Sequence, residues 1–158
     1  LDQLLDPSFA KDPPVKLDIP AKTLGLIFAI LGAIGTFFGV IGLLGITAVA
    51  AFAGGGALFV IGTLIGVVGT ALGAWGGYKM YQSDRDGKRI AIYGIVLNAV
   101  GALIAALSYG GVAGWILNAI FAFVLYYLVI ISRFEGEPKL VTTVPQPPSE
   151  RRDGPPAT

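Results

Sequence analysis

The chain has 158 residues, of which 54% are hydrophobic and 13% charged, with a net charge of +1. So few charges do not cover a soluble domain of this size, and a balance so near neutral gives no footprint for nucleic acid. With neither Cys nor His in the sequence, disulfides, thiolate nucleophiles and the commonest ligands of haem and transition metals are excluded.

The charges are also segregated. No Asp, Glu, Lys or Arg occurs between Lys22 and Lys79, or between Arg89 and Arg133. A membrane-spanning helix takes about 20 apolar residues, and one charge at its centre costs roughly 2.5–3.5 kcal/mol. Each uncharged block therefore holds two spans and a turn. The pattern predicts an all-α integral membrane four-helix bundle over residues 22–133, built as two transmembrane hairpins. Its helices are expected at about 22–50, 57–81, 88–108 and 112–133.

Residues 1–21 are a polar, proline-bearing leader. Val15, Leu17 and Ile19 alternate with Lys16 and Asp18, which reads either as a strap on the membrane surface or as a short strand. The first apolar run lies behind this leader and lacks a cleavage pattern, so a span is expected there and not a signal peptide. Helix entry after Pro20 suits the fixed proline φ. Gly25, Gly32, Gly35, Gly39 and Gly42 then share one face of the first helix. That run is longer than a bilayer needs, so the helix is expected to tilt or project. Gly54, Gly55 and Gly56 make the turn; they lack the preceding strand and the spacing of a nucleotide loop.

The second helix carries Gly62, Gly66, Gly69, Gly73 and Gly76 at alternating steps of four and three. In water each would lose about 1 kcal/mol relative to Ala; in a bilayer they let a second helix come into backbone contact, as in a glycine zipper. Two such faces on consecutive helices predict a first hairpin packed glycine to glycine. Trp75, Tyr78 and Tyr81 mark a membrane interface. Ser83 to Arg89 reads as a turn with an Asp N-cap for the third helix. Gly87-Lys88 is no phosphate loop, because Arg89 stands where Ser or Thr is needed. Asp84 and Asp86 sit among too many cations for a metal site.

Gly94, Asn98, Gly101 and Ala105 give the third helix a small-residue face as well. Gly114, Asn118 and Ala122 give the fourth a weaker one, and its second half, Phe121 and Phe123 to Ile130, is bulky all round. Residues 134–158 form a proline-rich tail, extended by Pro145, Pro147, Pro148, Pro155 and Pro156. If the first helix begins where the fourth ends, residues 15–19 and 140–144 are placed to pair as a ribbon.

Basic residues set the expected orientation. Lys79, Arg85, Lys88 and Arg89 flank the middle turn, and both ends are basic, while the other two turns carry no charge. The expectation is a multi-pass protein of the plasma (inner) membrane with both termini cytoplasmic.

The spans hold few polar side chains: Thr36, Thr47, Thr63, Thr70, Asn98, Ser108 and Asn118, besides Tyr hydroxyls. Intramembrane proton or ion paths use carboxylates or basic groups, and hydrolysis needs a nucleophile with a base or paired Asp. Neither set is present, so no enzyme activity, catalytic residue, metal or cofactor is expected. Asn98 and Asn118 are read either as glue between helices or as contacts to a lipid head group or quinone. The functional expectation is a non-catalytic accessory subunit of a larger membrane complex, an energy-transducing or transport assembly. Its partners would be membrane lipids and other membrane subunits, met through Gly32, Gly35, Gly39, Gly42, Gly62, Gly66, Gly69, Gly73, Gly76, Gly94 and Gly101. The alternatives are a small homo-oligomeric channel or carrier, or a lipid- or quinone-binding protein.

Overall fold

Four long helices account for nearly all of the described chain: α1 (Ala21–Ala53), α2 (Ala57–Tyr81), α3 (Asp86–Tyr109) and α4 (Val112–Ile131). The computed structural model describes Pro7 and residues 19–53, 56–109 and 111–134. Each helix contains a stretch long and apolar enough to cross a membrane, Ala21–Gly45, Ala57–Tyr81, Asp86–Ser108 and Ala113–Ile131. Four such helices mark a multi-pass membrane protein. α1 is the longest, at 33 residues, and at about 1.5 Å per residue it exceeds the roughly 30 Å of hydrocarbon that a span must cross.

Neighbours in sequence are neighbours in space, α1 beside α2, α2 beside α3 and α3 beside α4, while α1 meets α4 sparingly. The start of α1, the α2–α3 turn and the end of α4 share one end of the bundle, termed here the charged end. The buried cluster lies there too. Ala21, Leu24 and Phe28 of α1 join Met80 of α2, Ala91, Ile92 and Ile95 of α3, Val129 of α4 and Phe134 beyond it.

Two features build this end. The first is the α2–α3 turn. Asp84 N–H donates to Lys79 O at 2.9 Å and Ser83 N–H to Met80 O at 3.0 Å, the paired bonds of a Schellman motif. Ser83 takes the left-handed position, φ 64°, where glycine is the usual occupant. Asp84 then starts the next helix: its Oδ1 accepts from Asp86 N–H at 2.9 Å, and its Oδ2 from Lys79 Nζ at 2.8 Å. The expected Asp cap is thus Asp84. It starts α3 at Asp86, two residues before the expected boundary, and draws Gly87 into the helix.

The second is a latch on α4. Ala21 N–H donates to Arg133 O at 2.6 Å, and Arg133 N–H to Ile19 O at 3.0 Å, a parallel bridge between Pro20 and Arg133. Lys88 Nζ donates to Ser132 O and lies over the Phe134 ring. This pairing pulls Ser132 to ψ 146° and ends α4 at Ile131, two residues short of the expected 133. The ribbon expected from residues 15–19 and 140–144 lies outside the described residues, Ile19 excepted.

Tyr78 and Tyr81 are exposed near the same end. Tyr78 Oη accepts from Gln82 Nε2 at 2.8 Å, and Lys22 lies over the Tyr81 ring at 5.8 Å. These are the contacts of amphipathic rings at an interface.

Candidate functional site

The glycines expected to mediate packing divide into two seams, and the division differs from the expected one. The row on α2 faces α3, not α1. A Cβ at Gly62 would meet Ala105 N at 2.5 Å and Gly101 O at 2.7 Å. At Gly69 it would collide with the backbone of Asn98 and Gly94, and at Gly76 with that of Ala91 and Gly87. The relation is reciprocal: Cβ atoms at Gly87, Gly94 and Gly101 would strike Gly76 O, Gly69 O and Gly62 O. Each helix therefore supplies three glycines seven residues apart, running antiparallel and matched one to one.

A seven-residue repeat is the period of left-handed helix pairing. With no Cβ in the way, the Cα–H of each glycine stands in the space before its partner's carbonyl. Cα–H···O contacts there contribute about 0.5–1 kcal/mol each. Gly66 and Gly73, which share the face by spacing, are not tight in this sense. A Cβ at Gly73 meets nothing within 4 Å, and one at Gly66 comes no closer than 3.9 Å to Asn98 Nδ2.

The α1 seam is a gradient. Gly25 abuts the backbone of Gly77 and Tyr81, with a Cβ at 2.6 Å from each. Gly32 abuts Ala74 at 2.8 Å. Further along, Gly35 meets the Thr70 methyl at 3.0 Å, Gly39 meets Val67 Cγ2 at 2.8 Å, and Gly42 and Gly45 meet nothing within 4 Å. Contact passes from backbone to side chain to open space as α1 leaves the charged end. The glycine-to-glycine hairpin of α1 and α2 is thereby corrected to one such pair, Gly25 with Gly77. Gly42 makes no contact of this kind among the described residues.

Asn98 sits within the α2–α3 seam. Its Nδ2 donates to Thr70 Oγ1 at 2.9 Å and to Gly66 O at 3.1 Å, and Thr70 Oγ1 in turn donates to Gly66 O at 2.9 Å. This closed triangle joins the helices where Gly69 brings their backbones together. Thr36, Thr63 and Ser108 return their hydroxyl protons to carbonyls one turn back on their own helices, as such residues do in apolar surroundings.

Asn118 differs. Its Oδ1 is covered yet has no hydrogen-bond partner among the described residues, and so is Trp115 Nε1. The two lie three residues apart on α4. By helical spacing they share a face with Ala119, Ala122, Leu125, Tyr126 and Val129, all of them partly or fully screened from their surroundings. Sequence reading singled out Asn118 but passed over Trp115. The signal was an indole donor one turn from an amide, both within a span. Gly77 and Gly87 were likewise outside the expected packing set.

Among the described residues no three of His, Cys, Asp and Glu come together as a metal site would require. Comparisons with protein-family models, with curated proteins and with solved structures find nothing that matches this chain.

Proposed function

We propose that this chain is a non-catalytic packing subunit of a larger membrane assembly, of the energy-transducing or transport kind. It lies in the plasma (inner) membrane with its charged end and both termini in the cytoplasm. One observation supports this best. The tight glycines at the α2–α3 contact are spent inside the chain, but Gly42 and Gly45 of α1 and Gly114 of α4 face open space. Large apolar side chains flank them: Phe37, Phe38 and Leu44 on α1, Leu117 and Phe121 on α4. Acyl chains gain nothing from a missing side chain, whereas a neighbouring helix gains close approach. The spans carry charge only at the end shared with the α2–α3 turn, which agrees with a role in packing and not in ion or proton transfer.

The test is purification in mild detergent followed by native mass spectrometry. Other polypeptides are expected at fixed stoichiometry. Gly45→Leu and Gly114→Leu should release them while leaving the chain's own helicity intact. Recovery of the chain alone, or as a homo-oligomer, would overturn the reading, and the homo-oligomer would turn attention to a channel or carrier. A second reading, binding of a lipid or quinone, is favoured by the unpartnered pair on α4.

A further inference from the structure

Two complementary polar atoms that find no partner among the described residues lie on one face of α4: a donor, Trp115 Nε1–H, and an acceptor, Asn118 Oδ1. In an apolar interior each unmade hydrogen bond is expensive. Elsewhere in the spans Thr36, Thr63, Thr70, Asn98 and Ser108 donate to carbonyls or to one another, which makes this pair an exception that calls for a cause. Side chains at i and i+3 stand about 5–6 Å apart at their bases. A single oxygen that both accepts and donates can bridge that span, and a hydroxyl is such a group.

The surroundings say where it comes from. α4 is latched at its charged end, through Ser132 and Arg133, and is loosely held at the other. Gly114 has open space around it, and Leu117 is 70% exposed. On α3, the row that begins with buried Ile92 and Ile95 continues by helical spacing as Ala99, Ala102 and Ala106. It is bulky near the latch and small near the free end. Trp115 and Asn118 lie about 4–10 Å along α4 from its start, at the depth where lipid head groups give way to chains.

The geometry points to a seat for the hydroxyl head of a neutral membrane amphiphile between α3 and the free half of α4. The hydroxyl oxygen accepts from Trp115 Nε1–H, and its proton goes to Asn118 Oδ1. Both atoms are covered in this arrangement of the helices. The free half of α4 therefore tilts outward about its latched end to admit the ligand, and the two new bonds favour the tilted position. This inference does not rest on the packing-subunit reading, because it concerns the screened face of α4.

The test uses the full chain in phosphatidylcholine nanodiscs with Trp75→Phe, which leaves Trp115 as the one indole. The probe is a diacylglycerol with dibrominated acyl chains, compared with the same molecule acetylated at its hydroxyl. The diacylglycerol should quench Trp115 at about tenfold lower mole fraction, the ratio that the loss of such a bonded pair implies. Asn118→Leu should abolish the difference, and Asn118→Gln should restore part of it. In the unsubstituted chain, the Trp115 indole proton resonance should move downfield with diacylglycerol and stay with its acetylated form. Equal quenching by the two probes, with an unmoved indole proton, would overturn the proposal. So would an indole proton that exchanges with water at the free-peptide rate before any amphiphile is added.

Discussion

A methyl group at Gly69 has nowhere to go, because the backbone of Asn98 and the carbonyl of Gly94 already fill the space. Four residues on, a methyl at Gly73 enters a gap. Spacing alone makes the two equivalent, and the structure makes them opposites. Gly69→Ala is expected to lower stability by about 1–3 kcal/mol, the usual cost of overpacking. Gly73→Ala should be neutral or stabilising by up to about 1 kcal/mol, through helix propensity. Denaturation by sodium dodecyl sulfate in mixed micelles measures both, and an equal loss from each would contradict the paired register. The steps of three and four were legible in the sequence. Which members of the row carry contact depends on the neighbour's register, which no single helix encodes.

At the scale of elements, the α2–α3 hairpin is held by its turn and by one polar triangle. Asp84 caps α3 and pairs with Lys79. The hydrogen bond from Lys79 is the main cause, and that from Asp86 N–H the next, that hold its carboxyl below the ordinary 3.8. A carboxyl whose folded pKa is depressed stabilises the fold above its unfolded pKa and loses that contribution as pH falls through the folded value. The stability advantage of the wild type over Asp84→Asn should therefore be constant near neutrality, begin to fall as the pH nears about 3.8, and vanish only below the depressed folded value. Thermal unfolding in detergent across that range checks it; an advantage that persisted at lower pH would show that the carboxylate charge is not involved. In the triangle, Asn98→Leu and Thr70→Val should couple by about 0.6 kcal/mol, and by no more than about 1.7 kcal/mol, in a double-mutant cycle. Zero coupling would mean that the bond between Asn98 and Thr70 contributes nothing to stability. Counting residues away from the charged turn puts Asn98 near the depth of Thr70, and that arithmetic works because both helices meet at the same short connection.

The whole molecule is tight at one end and splayed at the other. α2 and α3 touch along their length, Gly76 with Gly87 near the turn and Gly62 with Gly101 at the far end. α1 and α4 are gathered to them at the charged end by the buried cluster and by the bridge of Pro20 with Arg133. Beyond it the glycines of α1 lose their neighbours one turn at a time. In water such bare apolar flanks would collapse together. In a bilayer lipid covers them at no penalty, so helices separate wherever shape does not hold them.

The sequence by itself determined the four helices, their approximate limits and their apolar class. Hydrocarbon length and the cost of a buried charge are properties of segments, and uncharged blocks declare them. It also held the Asp-capped turn, because capping is local chemistry. Only the tertiary structure decided that the α2 glycines face α3, that Gly42 meets none of the described residues, that Lys88 and Arg133 fasten α4, and that Trp115 Nε1 and Asn118 Oδ1 find no partner among the described residues. Those outcomes depend on helix rotation and on a register shared between distant residues, and a one-dimensional period fixes neither.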